Sequence, residues 1–186
     1  MWKVVLLFAF FLYSFRMASG QERKRQIFNQ STLASAPRTE GRLLCFDLGT
    51  KTIGMAVSDE MNSFALPLGT IHRYKLSADL LKIRDISKEY EVSGYVFGWP
   101  VHADGSMSPG CDRVMSFIDE MCQAQDLFGE APWILLWDER FSTAAVEEIV
   151  DKSVDMKRRK QKGHVDALAA QVILEGALSA LQNRSA

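Results

Sequence analysis

The sequence has few of the residues that build disulfide scaffolds or zinc sites, with only three cysteines and three histidines in 186 residues. Cys45, Cys111 and Cys122 form no CxxC pair, and one of them stays unpaired under any disulfide scheme. This usage disfavours a disulfide-stapled secreted domain and indicates free thiols in a reducing compartment. No second histidine or cysteine is spaced to join His164 in a zinc site.

An excess of positive charge is also missing, since 22 Lys and Arg residues face 23 Asp and Glu residues, for a net charge of -1. Nucleic-acid-binding domains are often basic, so any phosphate-binding surface must be local. One basic run precedes the last predicted helix and contains Lys157, Arg158, Arg159, Lys160, Lys162 and His164. It either contacts phosphates without reading sequence or is a solvated loop.

The N-terminal apolar run, Val4 to Phe15, is too short to span a bilayer, which takes about 20 residues. It has the length of a signal-peptide core, and a polar, positively charged stretch follows it. We therefore predict that residues 1–41 are a disordered leader or targeting-like extension that folding does not need. Alternatively, Met17 is the true start. The remaining domain is expected in the cytoplasm without membrane contact, or in an organelle if the leader is genuine.

Residues 42–182 predict one α/β domain with a five-stranded mixed sheet flanked by helices. Short apolar runs indicate the strands, and the first three are expected to form an antiparallel meander. The predicted strands are 43–47, 53–58, 66–71, 95–97 and 134–137. Helices are predicted after the N-caps Ser77, Ser108 and Ser142 or Thr143, and a last helix from His164 to about Leu181.

Acidic residues stand where this arrangement places strand ends. Asp47 closes the first strand, Asp138 and Glu139 close the last strand, and Asp166 begins the final helix. Open α/β sheets form their sites where strands end, because the loops diverge there and leave a crevice. Taken singly, each acid is better explained as a solvated turn residue or a helix cap.

The position of Asp166 on the final helix favours the functional interpretation. At about 100° per residue, Asp166 lies on the side opposite a polar stripe and shares its face with small and apolar residues, Ala169, Ile173, Ala177 and Ala180. A carboxylate facing a core is costly unless something pairs with it. We therefore expect Asp166 to face the strand ends that carry Asp47 and Glu139.

Converging carboxylates repel one another unless a cation lies between them. Hard oxygen ligands indicate one or two Mg²⁺ or Mn²⁺ ions, which can hold a scissile phosphate and activate water. Asp138 and Glu139 are adjacent, so strand alternation sends their side chains to opposite faces. Only one of the two, either Asp138 or Glu139, is expected to bind metal.

Motifs in the same order as those of one nuclease family run through the domain. Asp47-Leu48-Gly49-Thr50-Lys51-Thr52 with Ile53-Gly54 resembles the opening motif of the YqgF/RuvX family, and Gly98-Trp99-Pro100 with Asp104-Gly105-Ser106 resembles its G-L-P and D-G-S loop. Trp137-Asp138-Glu139-Arg140-Phe141-Ser142-Thr143 is similar to its W-D-E-R-L-S-T, and Asp166-Ala167-Leu168-Ala169-Ala170 to its last helix. Trp99 departs from the usual Leu, and residues before 42 are not part of the usual domain.

The resemblance implies a ribonuclease H-like fold and metal-supported nuclease chemistry, with Asp47, Glu139 and Asp166 at the acidic ligand positions. Bacterial members are described as nucleases that process the 5′ end of the 16S ribosomal RNA precursor. They were first proposed to be Holliday junction resolvases. The partners implied are structured RNA or branched DNA and, through precursor rRNA, the ribosome; the chain is expected to be a monomer or homodimer.

Some interpretations stay open from sequence. Lys51 and Arg140, each beside an acid, either contact substrate phosphate or pair with the carboxylates. Asp47-Leu48-Gly49-Thr50 also resembles the first phosphate motif of actin-like ATPases, but those proteins need a second such domain, for which 186 residues leave no room. A non-catalytic RNA-binding or ribosome-assembly factor with the same fold is the remaining alternative.

Overall fold

The computed structural model describes residues 25–138 and 162–184, and in these residues one six-stranded mixed sheet forms the centre of the fold. Its order is β1-β6-β5-β2-β3-β4. The strands are β1 (Gln26–Asn29), β2 (Arg42–Leu48), β3 (Thr52–Ser58), β4 (Ala65–His72), β5 (Val92–Trp99) and β6 (Trp133–Asp138). The sheet therefore has one strand more than the sequence predicted.

The predicted antiparallel meander is confirmed. β2 pairs antiparallel with β3, and β3 pairs antiparallel with β4. On its other side β2 pairs parallel with β5, which in turn pairs parallel with β6. Leu43, Leu44, Cys45 and Phe46 in β2 are all fully buried, because this interior strand is covered on both faces.

Helices α1 (Leu76–Glu89), α2 (Pro109–Gln123), α3 (Gln125–Phe128) and α4 (Lys162–Asn183) complete the described residues. The predicted cap at Ser108 is confirmed, since its hydroxyl accepts a hydrogen bond from the Gly110 N–H at 3.1 Å. The predicted cap at Ser77 is wrong. α1 already begins at Leu76, and Lys75 occupies the N-cap position without a side-chain bond. The helix predicted after Ser142 or Thr143 lies outside the described residues.

Each face of the sheet has its own core. Even-numbered residues of β2 and β6, such as Phe46 and Leu136, pack with α1 and α2. Odd-numbered residues, such as Cys45 and Leu135, pack with α4. By length and composition alone, Val165–Asn183 of α4 is apolar enough to cross a membrane. In this structure the apolar residues of the helix pack against the sheet. Those buried in the core on the α4 side are Ala170, Ile173, Leu174, Ala177 and Leu178.

Residues 25–41 belong to the folded domain, so the predicted boundary at residue 42 and the predicted disorder of 1–41 are wrong for this segment. β1 pairs parallel with β6, and Leu33 and Ala36 are buried in the core beneath α4. The Trp133 indole N–H donates to the Pro37 carbonyl at 3.1 Å. The Arg184 guanidinium donates to the carbonyls of Leu33 at 3.0 Å and Ala36 at 2.9 Å. Residues 1–24 lie outside the described residues.

Candidate metal and nucleic-acid site

The strand ends that carry the predicted site residues lie at one edge of the sheet. Because β2, β5 and β6 are parallel, their C-terminal ends meet at this edge, where Asp47 and Asp138 lie. The turn from β2 into β3 and the C-terminal end of β4 lie at the same edge, since Thr52 pairs with His72. The site edge, as we call it, is thus formed by five of the six strands.

Gly54 brings the start of α4 onto the site edge. It pairs with Asp47 across β2 and β3, so both positions project to the face that α4 covers. A Cβ atom at Gly54 would lie 2.0 Å from the Asp166 carbonyl oxygen, which no side chain permits. Gly54 is therefore not part of the turn that follows Asp47. It is a strand residue whose missing side chain lets the backbone of Asp166 approach β3.

The carboxyl groups of Asp47 and Asp166 interact electrostatically. Burial raises the pKa of Asp47 from 3.8 to about 6, and the neighbouring Asp166 carboxylate adds to the rise. Both effects penalise the ionised form: burial removes water, and a second negative charge repels the first. The edge therefore concentrates negative charge in a half-buried place, where a bound cation would be stabilised.

The wheel prediction for Asp166 agrees with the packing of α4. Ile173 and Ala177, which bracket the direction of Asp166 on the helical wheel, are almost completely buried against the sheet. Two polar side chains of α4 bind the neighbouring strand β4. Glu175 accepts a hydrogen bond from the Ala65 N–H at 2.7 Å, and Gln171 donates to the Ala65 carbonyl at 2.9 Å. These bonds attach α4 to the first residue of β4 and so help to fix the position of the helix that carries Asp166.

Asp138 lies on the other face of the sheet. It follows Ile134 and Leu136 at strand spacing, and both of these pack in the core beneath α1 and α2. Asp138 is only 9% exposed, and it has an interaction partner. Strand alternation therefore separates Asp138 from Asp47 and Asp166. Glu139 lies outside the described residues, and among those residues no group of three His, Cys, Asp or Glu side chains forms a metal cage.

The predicted phosphate-binding residues are only partly described. Lys51 is exposed in the turn that follows Asp47, and Lys162 is the first residue of α4. Arg140, Arg158, Arg159 and Lys160 lie outside the described residues. The contact of the basic run with nucleic acid thus remains a prediction.

Arg73, just past the end of β4, is a residue of this edge that sequence reasoning missed. Its guanidinium donates to the Gly49 carbonyl at 3.0 Å, in the turn after Asp47. It also lies 3.7 Å from a carboxylate oxygen of the buried Asp79 and 5.7 Å from the centre of the Phe117 ring. Arg73 therefore ties the Asp47 turn to α1 and α2. No sequence motif marked it, because its partners come from separate elements.

These features define a ribonuclease H-like nuclease fold: a central strand that carries Asp47 near its end, an antiparallel meander beside it, and a last helix that brings Asp166 near Asp47. The solved structure of the yeast mitochondrial Holliday junction resolvase Ydc2 shares this fold with a TM-score of 0.54. The superposition covers 84% of this chain and 85% of that one at 9% identity. At such low identity the likeness shows the fold alone.

A family model described as "RuvX: Holliday junction resolvase" matches residues 41–180. A protein of Rhodospirillum centenum named "Putative pre-16S rRNA nuclease" is 44% identical over 153 residues, covering 82% of this chain and 80% of its own length. A protein of the same name from Rhodobacter capsulatus is 42% identical, covering 80% of this chain and 89% of its own length. The chain belongs to the RuvX family. Its enzymatic class is that of hydrolases that cleave phosphodiester bonds.

Proposed function

We propose that this protein is a metal-dependent endonuclease that processes the 5′ end of precursor 16S ribosomal RNA. The observation that carries the proposal is the convergence of Asp47 and Asp166, held by the contact between Gly54 and the backbone of Asp166. The relatives named for this activity match most of the chain, which supports the choice of substrate. We expect the reaction to take place in the cytoplasm, in association with maturing ribosomal particles.

The donor set fits a hard divalent cation. Asp47 and Asp166 offer carboxylate oxygens, and burial, together with the Asp166 carboxylate, raises the pKa of Asp47 to about 6, which a bound cation would oppose. Mg²⁺ and Mn²⁺ prefer such ligands, whereas zinc favours nitrogen and sulfur. When bound, one or two such ions supply activated water and stabilise the leaving oxygen.

We assign the third ligand to Glu139 rather than Asp138. Asp138 projects to the α1 and α2 face, away from the pair, so it is badly oriented to share a metal with Asp47 and Asp166. Lys51 is exposed in the turn beside Asp47, and we propose that it binds substrate phosphate. Arg140, Arg158, Arg159, Lys160 and Lys162 are proposed to extend that contact along the nucleic acid.

The test is cleavage of a labelled precursor RNA that carries the 5′ extension of 16S rRNA, with Mg²⁺ or Mn²⁺. Wild type should cleave within the extension, while Asp47→Asn, Asp166→Asn and Glu139→Gln should each lose activity by at least about 100-fold. Asp126→Asn is the matched control, since Asp126 is an exposed carboxylate on α3, away from the site edge, and should keep full activity. An active Asp166→Asn enzyme would refute the site assignment.

The family description favours one alternative substrate, a four-way DNA junction. The same proteins should therefore be assayed with a mobile four-way junction and a matched linear duplex. Junction cleavage without precursor-RNA cleavage would replace the rRNA proposal by the resolvase one. Binding of precursor RNA without cleavage by wild type would favour a non-catalytic ribosome-assembly factor.

A further inference from the structure

An exposed aromatic residue, Tyr74, lies beside the site edge with basic residues nearby. Tyr74, just after β4, is 82% exposed and is the most exposed of the large hydrophobic residues in the described part of the chain. The Lys75 ammonium lies 5.7 Å from the centre of its ring. We call this residue pair, together with Lys51, Arg73 and Arg113, the β4–α1 surface.

A groove of about 340 Å³ continues this surface between α1 and α2. Arg73 and Leu76 form one side, and Arg113, Ser116, Phe117 and Glu120 form the other. Two acidic residues lie here: Glu120 lines the groove, and the buried Asp79 lies 3.7 Å from the Arg73 guanidinium. In a chain whose net charge is -1, this surface is locally positive. The Lys75 ammonium lies beside the Tyr74 ring, Arg73 and Arg113 line the adjoining groove, and the Arg73 N–H donates to the Lys51 carbonyl at 2.9 Å.

The β4–α1 surface lies close to the paired carboxylates. Asp47, Gly54 and Thr70 lie in one row across three strands, and His72 follows two residues further along β4. Standard strand spacing and rise then place the backbones of Asp47 and His72 roughly 12 Å apart. The groove opens on the α1 and α2 side and the carboxylates on the α4 side. Between them runs the turn that carries the exposed Lys51.

We infer that the β4–α1 surface binds an unpaired segment of the nucleic acid, which crosses the Lys51 turn to reach the carboxylates. One unpaired base stacks on Tyr74, and Lys75, Arg113 and Lys51 bind the phosphates on either side of it. Exposed aromatic rings flanked by basic residues bind single strands in this way, because every base has a face for stacking. A paired base offers no free face, so the surface should distinguish an overhang from a blunt duplex. This inference rests on the proposed function and names the part of the substrate that binds here.

The test measures binding in EDTA, so that no cleavage takes place. The probes are a fluorescein-labelled RNA duplex with a 5′ single-stranded overhang and the same duplex with blunt ends, titrated with the full-length protein. Wild type should bind the overhang probe more tightly. Tyr74→Ala should weaken overhang binding about tenfold and leave blunt-duplex binding within twofold, whereas Tyr74→Phe should bind like wild type. Lys75→Gln and Arg113→Gln should each reduce the salt slope for the overhang probe by about 0.7.

Phe64→Ala is the matched control. Phe64 is also an exposed aromatic residue, at 49% exposure, but it lies at the opposite edge of the sheet and should not affect either probe. Because Tyr74 is so exposed, its variants should melt like wild type. Equal binding of the two probes by wild type, unchanged binding by Tyr74→Ala, or equal losses on both probes would overturn the inference. None of these outcomes depends on cleavage, so the proposed nuclease activity stands or falls separately.

Discussion

Replacing Asp47 by Asn should stabilise the metal-free protein, and the gain should depend on pH. Folding raises the pKa of Asp47 from 3.8 to about 6. The folded state therefore binds the proton more tightly than the unfolded state, and ionisation of this group opposes folding. The destabilisation is absent below about pH 4, grows between pH 4 and 6, and is complete above pH 6. At 1.36 kcal/mol per unit, its upper size is about 3 kcal/mol.

The assay is urea unfolding of wild type and Asp47→Asn in EDTA at pH 4 and pH 8. At pH 8 the variant should be more stable by up to about 3 kcal/mol, or roughly 6–12 °C in Tm, because for a chain of this size each kcal/mol corresponds to about 2–4 °C. At pH 4 the two proteins should be equal within about 0.5 kcal/mol. Asp126→Asn, at an exposed position, controls for the loss of a negative charge in general. A gain of the same size at both pH values would refute the reasoning, since ionisation would not be its cause.

Further predictions concern metal, packing and the basic run. Millimolar Mg²⁺ at pH 8 should raise the Tm of wild type more than that of Asp47→Asn. Metal that binds the folded state stabilises that state, and the variant lacks one of the proposed ligands. Gly54→Ala should cost about 2 kcal/mol or more in urea unfolding, and more than Gly176→Ala, whose new Cβ meets only the Trp137 ring, at 2.9 Å. A protein starting at Arg42 should melt well below one starting at Arg25, as calorimetry would show, because it lacks β1 and the buried Leu33. Replacing the basic residues at 158, 159 and 160 by Gln should lower the salt slope of RNA binding by fluorescence anisotropy, and an unchanged slope would identify a solvated loop.

The parts of the fold that sequence predicted are those with a strong local signal. β2 was evident because its continuous apolar run needs cover on both faces, and the α2 start was evident from Ser108 and Pro109. β1 was not evident, because Gln26–Asn29 has a short, mixed pattern and is stabilised by β6, which lies about 100 residues further along the chain. Its strand character is decided by tertiary pairing and not by propensity.

The candidate site divides in the same way. Asp47 and Asp166 could be predicted, because a strand end and a helical wheel each give a direction from local periodicity. The role of Gly54 could not, since it depends on where α4 docks. Arg73 was equally hidden, because its three contacts come from the Asp47 turn, α1 and α2. Strand alternation recorded in β6 supports the sequence-based preference for Glu139 over Asp138, although the role of Glu139 stays a prediction.

The two outer strands of the sheet limit how copies of this chain can assemble. β1 has only four residues, so it offers a neighbouring molecule a very short ladder. β4 contains Pro67, which has no N–H to donate, and a register shift with β3 near Gly69, whose φ is +132°. Short, kinked or proline-bearing outer strands discourage sheets from joining edge to edge and from templating fibrils. A homodimer of this protein should therefore form through side chains on its helices or loops, and not by continuing the sheet from one copy into the next.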